Sequence, residues 1–180
     1  MLKIALTLIL ILATQATAHP GAVDAMDCHK NRKTGERHCH TQTNGSYAGV
    51  TTVIDGDTIE IHGKKFRLFG IDAPETKQLC NDASGKSYRC GQVAANALTK
   101  LIGGQSVVCM KKDRDRYNRI VATCFVKNLD LGAHLVTKGL AVAYVQYSSA
   151  YVSAEATARS GKIGLWAGEF NTPWIWRKAH

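Results

Sequence analysis

Carboxylates and arginines gather in three short stretches of this sequence, a combination that suits chemistry on phosphate. The first is Asp55-Gly56-Asp57-Thr58. With a side-chain period of two, Asp55 and Asp57 share one face of an extended strand, and Gly56 permits a sharp bend between them. Asp and Gly also build bulges and turns, so the step alone has two readings. A calcium-binding helix-loop-helix is excluded, because Phe66 stands where the loop's closing Glu would be. The second stretch is Phe66-Arg67-Leu68-Phe69-Gly70-Ile71-Asp72-Ala73-Pro74-Glu75. A buried arginine in so apolar a strand must meet an anion, either a nearby Asp or a bound phosphate. Pro74 holds Ala73 extended and ends the strand between two carboxylates. The third, Asp113-Arg114-Asp115-Arg116-Tyr117-Asn118-Arg119, sets an aromatic among arginines. It reads either as a solvated hairpin tip or as a groove for a nucleic acid backbone with a surface for stacking a base. Together the stretches offer hard oxygen ligands for a dication, guanidiniums for a phosphate, and a carboxylate to activate or orient water.

These residues need a scaffold. From Tyr47 onward Val50, Thr52 and Ile54 alternate, the Asp-Gly-Asp step breaks the run, Ile59 and Ile61 alternate again, and Gly63 turns the chain into the strand 66–71. Along 91–102, Val93, Ala94, Ala97, Leu98, Leu101 and Ile102 share a helical face that ends at Gly103-Gly104. Strands follow at 106–110 and 120–126, separated by a charged turn over 111–119. Helices follow at about 131–138, stopped by Gly139, and about 149–159. Strands in a run, an inserted helix, two more strands and terminal helices predict an α+β domain on a small antiparallel barrel.

The ends and the charge bound the setting. Lys3, the apolar run 4–12 and Ala16-Thr17-Ala18 read as an export signal, 1–18, cleaved after Ala18. A membrane span needs about 20 apolar residues, and Thr14, Gln15 and Thr17 interrupt this run. The chain has 23 basic and 14 acidic residues, and loss of Lys3 leaves 22 against 14. Such a balance favours acidic partners, and without a long basic amphipathic helix these are nucleic acids rather than membranes. A periplasmic or secreted monomer is expected. Residues 19–46 are polar and rich in His, Lys and Thr, without an apolar period, so they form a small module or tether. The domain proper spans 47–166, and 167–180 form an aromatic tail. All six cysteines lie beyond the signal, and sequence order offers the local pairs Cys28 with Cys39, Cys80 with Cys90 and Cys109 with Cys124. An unstrained bridge over so short a loop contributes on the order of 3 kcal/mol.

Read together and in this order, D-G-D-T, F-R-L-x-G-I-D-A-P-E and D-R-Y-x-R resemble the staphylococcal nuclease family across roughly residues 47–166. The resemblance implies an OB-fold, a five-stranded barrel with three helices. It implies Ca2+ held by Asp57, Asp72 and the backbone carbonyl of Ala73, with Asp55 nearby. It places Arg67 and Arg119 on the phosphate, Glu75 on the attacking water, Arg116 and Tyr117 at a terminal phosphate and nucleotide, and Tyr144 against a base or sugar. The implied activity is hydrolysis of DNA and RNA by water, leaving 3′-phosphate ends with little sequence specificity. Asn118 departs from the family's frequent Gly, and Gln146-Tyr147 replaces a second aromatic near Tyr144. His62 and His134 lie outside the motifs, at an expected strand turn and helix, which argues against acid-base cleavage through a ribose 2′-hydroxyl.

Cys28-His29 and His38-Cys39-His40 resemble the C-H-x-N-x-K-T-G-x-x-H-C-H segment that often precedes such domains. These ligand types suit Zn2+, whereas export favours a disulfide. Trp166, Phe170, Trp174 and Trp176 either pack back on the barrel or stack bases. Two other functions compete: a non-catalytic OB-fold nucleic-acid-binding protein, and a metal-handling protein built on the Cys/His module. Retention of Asp57, Arg67, Asp72, Glu75 and Arg119 favours the enzyme.

Overall fold

Period-two burial is what closes the barrel. The computed structural model describes Cys28–Lys30, Gly35, Arg37–Cys39 and residues 45–180. The expected signal at 1–18, most of the polar module, and the Cys28 and Cys39 side chains with either a disulfide or Zn2+ lie outside the described residues. The backbone of Cys28–Lys30 pairs antiparallel with Arg37–Cys39, setting Cys28 opposite Cys39. Five strands carry the domain: β1 (Ser46–Val53), β2 (Thr58–Ile61), β3 (Lys64–Leu68), β4 (Ser106–Arg114) and β5 (Ile120–Val126). Along β5, Ile120, Ala122, Cys124 and Val126 are buried alternately with less buried neighbours, so one face of the strand enters the core. β1 pairs with β2, β2 with β3, β3 with β5, β5 with β4, and β4 with β1, so the sheet returns to its first strand. This is the closed α+β OB-type barrel.

One pairing corrects the antiparallel expectation. β3 and β5 run parallel, with Arg67 opposite Val121. Parallel neighbours need a long crossover, and the chain between them holds a helix and β4. β2 and β3 are joined by His62-Gly63, both with positive φ (50° and 73°), as a two-residue hairpin turn requires. The charged turn is narrower than the sequence suggests. β4 continues through Arg114, because Lys111, Asp113 and Arg114 find partners on β5. A register shift between Val121 and Ala122 leaves Lys112 as the extra residue of a bulge.

Four helices cover the barrel. α1 (Cys90–Ile102) buries Ala94, Leu98 and Ile102 at four-residue spacing and stops where left-handed Gly103 donates its N–H to the Thr99 carbonyl. α2 (Leu131–Thr137) is capped by Asp130, which accepts the Ala133 N–H, and α3 (Val152–Ser160) begins three residues later than expected. α4 (Pro173–Ala179) falls in the supposed tail. Its length, about two turns, is too short for an apolar period to announce it. Among the described residues no helix is long and apolar enough to cross a membrane.

Ile59, Phe66, Leu68, Leu98, Leu131 and Leu135 form the centre of the barrel core. Cys80, Cys90, Val142 and Leu165 form a second cluster against which Trp166, Phe170 and Trp174 pack, so these aromatics fold back onto the domain. Cys80–Cys90 and Cys109–Cys124 are disulfides, the latter across facing positions of β4 and β5. Leu98 has no exposed surface, so Leu98→Ala is expected to destabilise the protein by about 2–5 kcal/mol in urea unfolding.

Candidate active site

The Asp55-Gly56-Asp57 step lies in the loop between β1 and β2, not on a strand face. Asp55 Oδ1 accepts the Asp57 N–H at 3.0 Å, a side-chain turn that overrides strand pairing. Gly56 is buried where a Cβ would overlap the Cβ atoms of Ala73 and Ala94. The loop is therefore drawn down onto the second motif. There Asp57 Oδ2 accepts the Ala73 N–H at 2.7 Å, and Asp57 Oδ1 accepts the Thr58 hydroxyl at 3.2 Å.

Arg67 meets the anions its buried strand position demands. Its Nη2 donates to Asp72 Oδ1 at 2.7 Å, while Nη1 forms an ion pair with Asp57 Oδ2. One guanidinium thus bridges the two carboxylates. Burial works against the charge on Arg67, but Asp57 and then Asp72 outweigh it and raise its pKa above the usual arginine value. Burial is also the largest influence on Asp72, whose carboxyl is raised despite the partial offset from Arg177 and Arg67.

The second arginine is held from two sides. Arg119 Nε donates to Asp115 Oδ2 at 2.7 Å, and its Nη1 donates to the Thr58 hydroxyl at 3.3 Å. Asp115 also caps the turn, accepting the N–H groups of Tyr117 and Arg119 on Oδ1. Burial pushes the Asp115 carboxyl up, but these bonds to Arg119 and Tyr117 prevail and hold it below the usual range. Asn118 adopts φ 64°, a left-handed conformation that Asn tolerates better than most residues, so it can serve where the family often has Gly. Arg116 and Arg119 approach the Tyr117 ring at 5.0 and 5.5 Å, leaving Tyr117 exposed at the hairpin tip. Arg67 and Arg119 converge through Thr58, which lies opposite Arg67 in the β2–β3 register.

Glu75 and Tyr144 stand beside the C-terminal segment. Arg177 Nη1 donates to Glu75 Oε1 at 2.8 Å and to Asp72 Oδ1 at 3.0 Å, and its Nη2 donates to Asp72 Oδ2 at 2.8 Å. The Glu75 N–H donates to the Gln78 side chain at 3.2 Å. Gly91 at the start of α1 comes so close that a Cβ would overlap the Glu75 carbonyl oxygen. Residues 142–143 pair with 71–72, and the Tyr144 N–H donates to the Gly70 carbonyl, so Tyr144 is tethered to the Asp72 segment. Its ring stacks on Trp174 at 5.4 Å with planes 3° apart. Thr58, Asp115, Gln78 and Arg177 were not singled out by sequence. Asp115 carried a signal, lying four residues before Arg119; nothing in spacing connects position 177 with 72 and 75.

Among the described residues no three His, Cys, Asp or Glu side chains converge into a ready metal cluster, because Arg67 and Arg177 interleave the acids. The donor chemistry nevertheless fits a hard dication. Among the described residues Asp57, Asp72 and Glu75 are ion-paired with Arg67 and Arg177, and Asp55 lies beside Asp57, so four carboxylates gather around two guanidiniums. Among the described residues, Asp57 Oδ1 and Asp72 Oδ2 each accept one hydrogen bond and keep further acceptor capacity.

The excess of acid has a measurable cost. Burial, with Asp57 beside it, pushes the Asp55 carboxyl up to about 6. Unfolded, it titrates near the ordinary value of 3.8, so between those pH values the folded state binds the extra proton and stability falls as pH rises. Asp55→Asn keeps an acceptor for the Asp57 N–H without the charge. In chelator-treated protein it is expected to stabilise by on the order of 2 kcal/mol at pH 7.5, with the gain vanishing towards pH 4, as melting temperatures would record. Gly91→Ala is expected to displace the Glu75 backbone and to destabilise the protein by about 1–3 kcal/mol, as urea unfolding would record.

Comparison with known proteins bears on the same residues. A sequence profile described as staphylococcal nuclease homologue matches residues 65–168. The succinoglycan biosynthesis protein ExoI of Rhizobium meliloti is 40% identical over 124 residues, 67% of this chain and 65% of the relative. An endonuclease of Escherichia coli is 34% identical over 136 residues, 71% of this chain and 82% of the relative. Staphylococcal-like nuclease CAN1 of Arabidopsis thaliana is 30% identical over 158 residues, 83% of this chain and 46% of the relative. The chain therefore spans just under two thirds of the Rhizobium relative, and the same share of a similar Haemophilus influenzae endonuclease.

Proposed function

Since this chain belongs to the staphylococcal nuclease family, we propose that it is a metal-dependent phosphodiesterase that hydrolyses DNA and RNA. The observation that carries this reading is the convergence of two arginines on the Asp57 carboxylate, Arg67 by an ion pair and Arg119 through the Thr58 hydroxyl, beside Asp55, Asp72 and Glu75. A phosphodiester under attack gathers negative charge on its equatorial oxygens, and positioned guanidiniums stabilise that charge without reorganising. Arg67 is held by its ion pairs with Asp57 and Asp72. Arg119 is aimed by Asp115 and Thr58. Neither arginine donates a proton efficiently near neutral pH, because the guanidinium is too basic. Both act by charge.

Asp57, Asp72 and the Ala73 carbonyl would hold Ca2+. When bound, that ion supplies Lewis-acid stabilisation of a phosphate oxygen. Glu75 accepts a proton from the attacking water or orients it. Water attacks the phosphorus in line, the bond to the 5′-oxygen breaks, and that oxygen takes a proton from solvent, so the products are a 3′-phosphate and a 5′-hydroxyl. Arg116 and Tyr117 meet the phosphate and nucleotide at the hairpin tip, and Tyr144 meets a base or sugar. Contacts to the backbone rather than to base edges give low sequence specificity and a steep dependence on salt. The export signal expected at 1–18 and the two disulfides support an exported, periplasmic or secreted setting, in which the enzyme acts as a monomer in this reading.

Hydrolysis of single-stranded DNA and RNA in Ca2+ or EDTA, with product ends identified, tests the proposal. Calcium-dependent cleavage to 3′-phosphates is expected, with Arg119→Ala lowering kcat on the order of 100-fold or more. Binding without cleavage in any divalent metal would instead identify a non-catalytic OB-fold binding protein.

A further inference from the structure

We propose that Arg177 is a positioning residue of this nuclease site, and that the C-terminal segment is the strut that carries it. The inference rests on the nuclease reading for what the positioned carboxylates do. Arg177 Nη1 is shared between Asp72 Oδ1 and Glu75 Oε1, and Nη2 takes Asp72 Oδ2, so one planar group sets the relation of the two carboxylates. Asp72 and Glu75 repel each other and lie on a short turn around Pro74. Arg67 reaches Asp72, whereas Arg177 supplies the ion pair to Glu75.

A strut must be anchored, and the segment before Arg177 is. Gln78 has no exposed surface; its Nε2 donates to the Asn171 carbonyl at 2.7 Å and its Oε1 accepts the Glu75 N–H at 3.2 Å. One buried amide thus ties the Glu75 turn to the segment leading into α4. Asn81 and Glu169 exchange backbone bonds of 2.8 and 3.1 Å, Pro173 is buried, and Trp174 stacks on Tyr144. Gln78 also sits beside the Cys80–Cys90 disulfide, the Cys90 sulfur lying 3.5 Å from the Gln78 carbonyl oxygen. An arm that merely blocks the site would have to leave it for substrate, and leaving exposes buried Pro173 and breaks the Trp174–Tyr144 stack. That anchoring favours a permanent part of the site over a removable plug.

Arg177→Ala and Arg177→Lys in the full chain decide the matter. The Ala variant is expected to lose roughly 10-fold or more in kcat with KM changed less than about threefold and little change in melting temperature. The Lys variant should recover part of the loss, since an ammonium restores charge but not the planar fork. In calcium-free protein the Ala variant should also speed hydrogen exchange at the amides of residues 75–78, a readout independent of turnover. A variant Arg177→Ala as fast as or faster than the parent, or one with unchanged exchange at 75–78, overturns the proposal. A parent protein that cleaves nothing in Ca2+ overturns the nuclease reading instead, while the exchange measurement still judges whether Arg177 holds the turn.

Discussion

The carboxylate of Asp57 is the point on which the site depends. It accepts the Ala73 N–H from the second motif and the Thr58 hydroxyl from β2, and it forms an ion pair with Arg67 from β3. The β1–β2 loop is thereby fixed at two points to the second motif, at Arg67 and at Ala73, by one buried anion. Buried charges are tolerated only when paired and hydrogen-bonded, so the constraint acts in both directions: the barrel must bring these partners, and the partners hold the loop down. Gly56 makes the approach possible by having no Cβ to meet Ala73 and Ala94.

From that anion the rest of the charge arrangement follows. Arg67 spans Asp57 and Asp72, Thr58 links Asp57 to Arg119, and Asp115 holds Arg119 from the hairpin. Burial first, and the neighbouring Asp57 charge after it, raise the Asp55 and Asp72 carboxyls, with Arg177 and Arg67 offsetting part of the shift at Asp72.

The C-terminal segment changes how the domain is bounded. Its aromatics pack on the Cys80–Cys90 cluster, its backbone pairs at Asn81 and Glu169, and Arg177 returns to Asp72 and Glu75. Residues 167–180, expected as a tail, are a structural part of the carboxylate side of the site. The disulfide at Cys80–Cys90 lies between the Glu75 turn and α1, where Gly91 presses against Glu75. Helix, turn and tail are consequently packed as one unit.

Much of this was legible in the chain. Period-two apolar runs give β1, β2 and β5, a 3.6-residue stripe gives α1, and both local cysteine pairs of the domain are bonded as their order suggests. The chemical character of the site was legible too, because Asp57, Arg67, Asp72, Glu75 and Arg119 sit in short motifs of unusual charge. Less legible were the Asx turn at Asp55, where a local side-chain bond overrides alternation, the parallel β3–β5 pairing, and α4. By itself the sequence determined which residue types are available and the local periods that shape each element, since both depend on neighbours a few residues apart. Tertiary structure alone decided that Thr58 ties Arg119 to the Asp57 carboxylate that Arg67 pairs with, that Gln78 ties the Glu75 turn to Asn171, and that Arg177 crosses to Asp72 and Glu75. Those bonds join residues as far as 105 positions apart, and no local pattern encodes a contact that only closure of the barrel brings within reach.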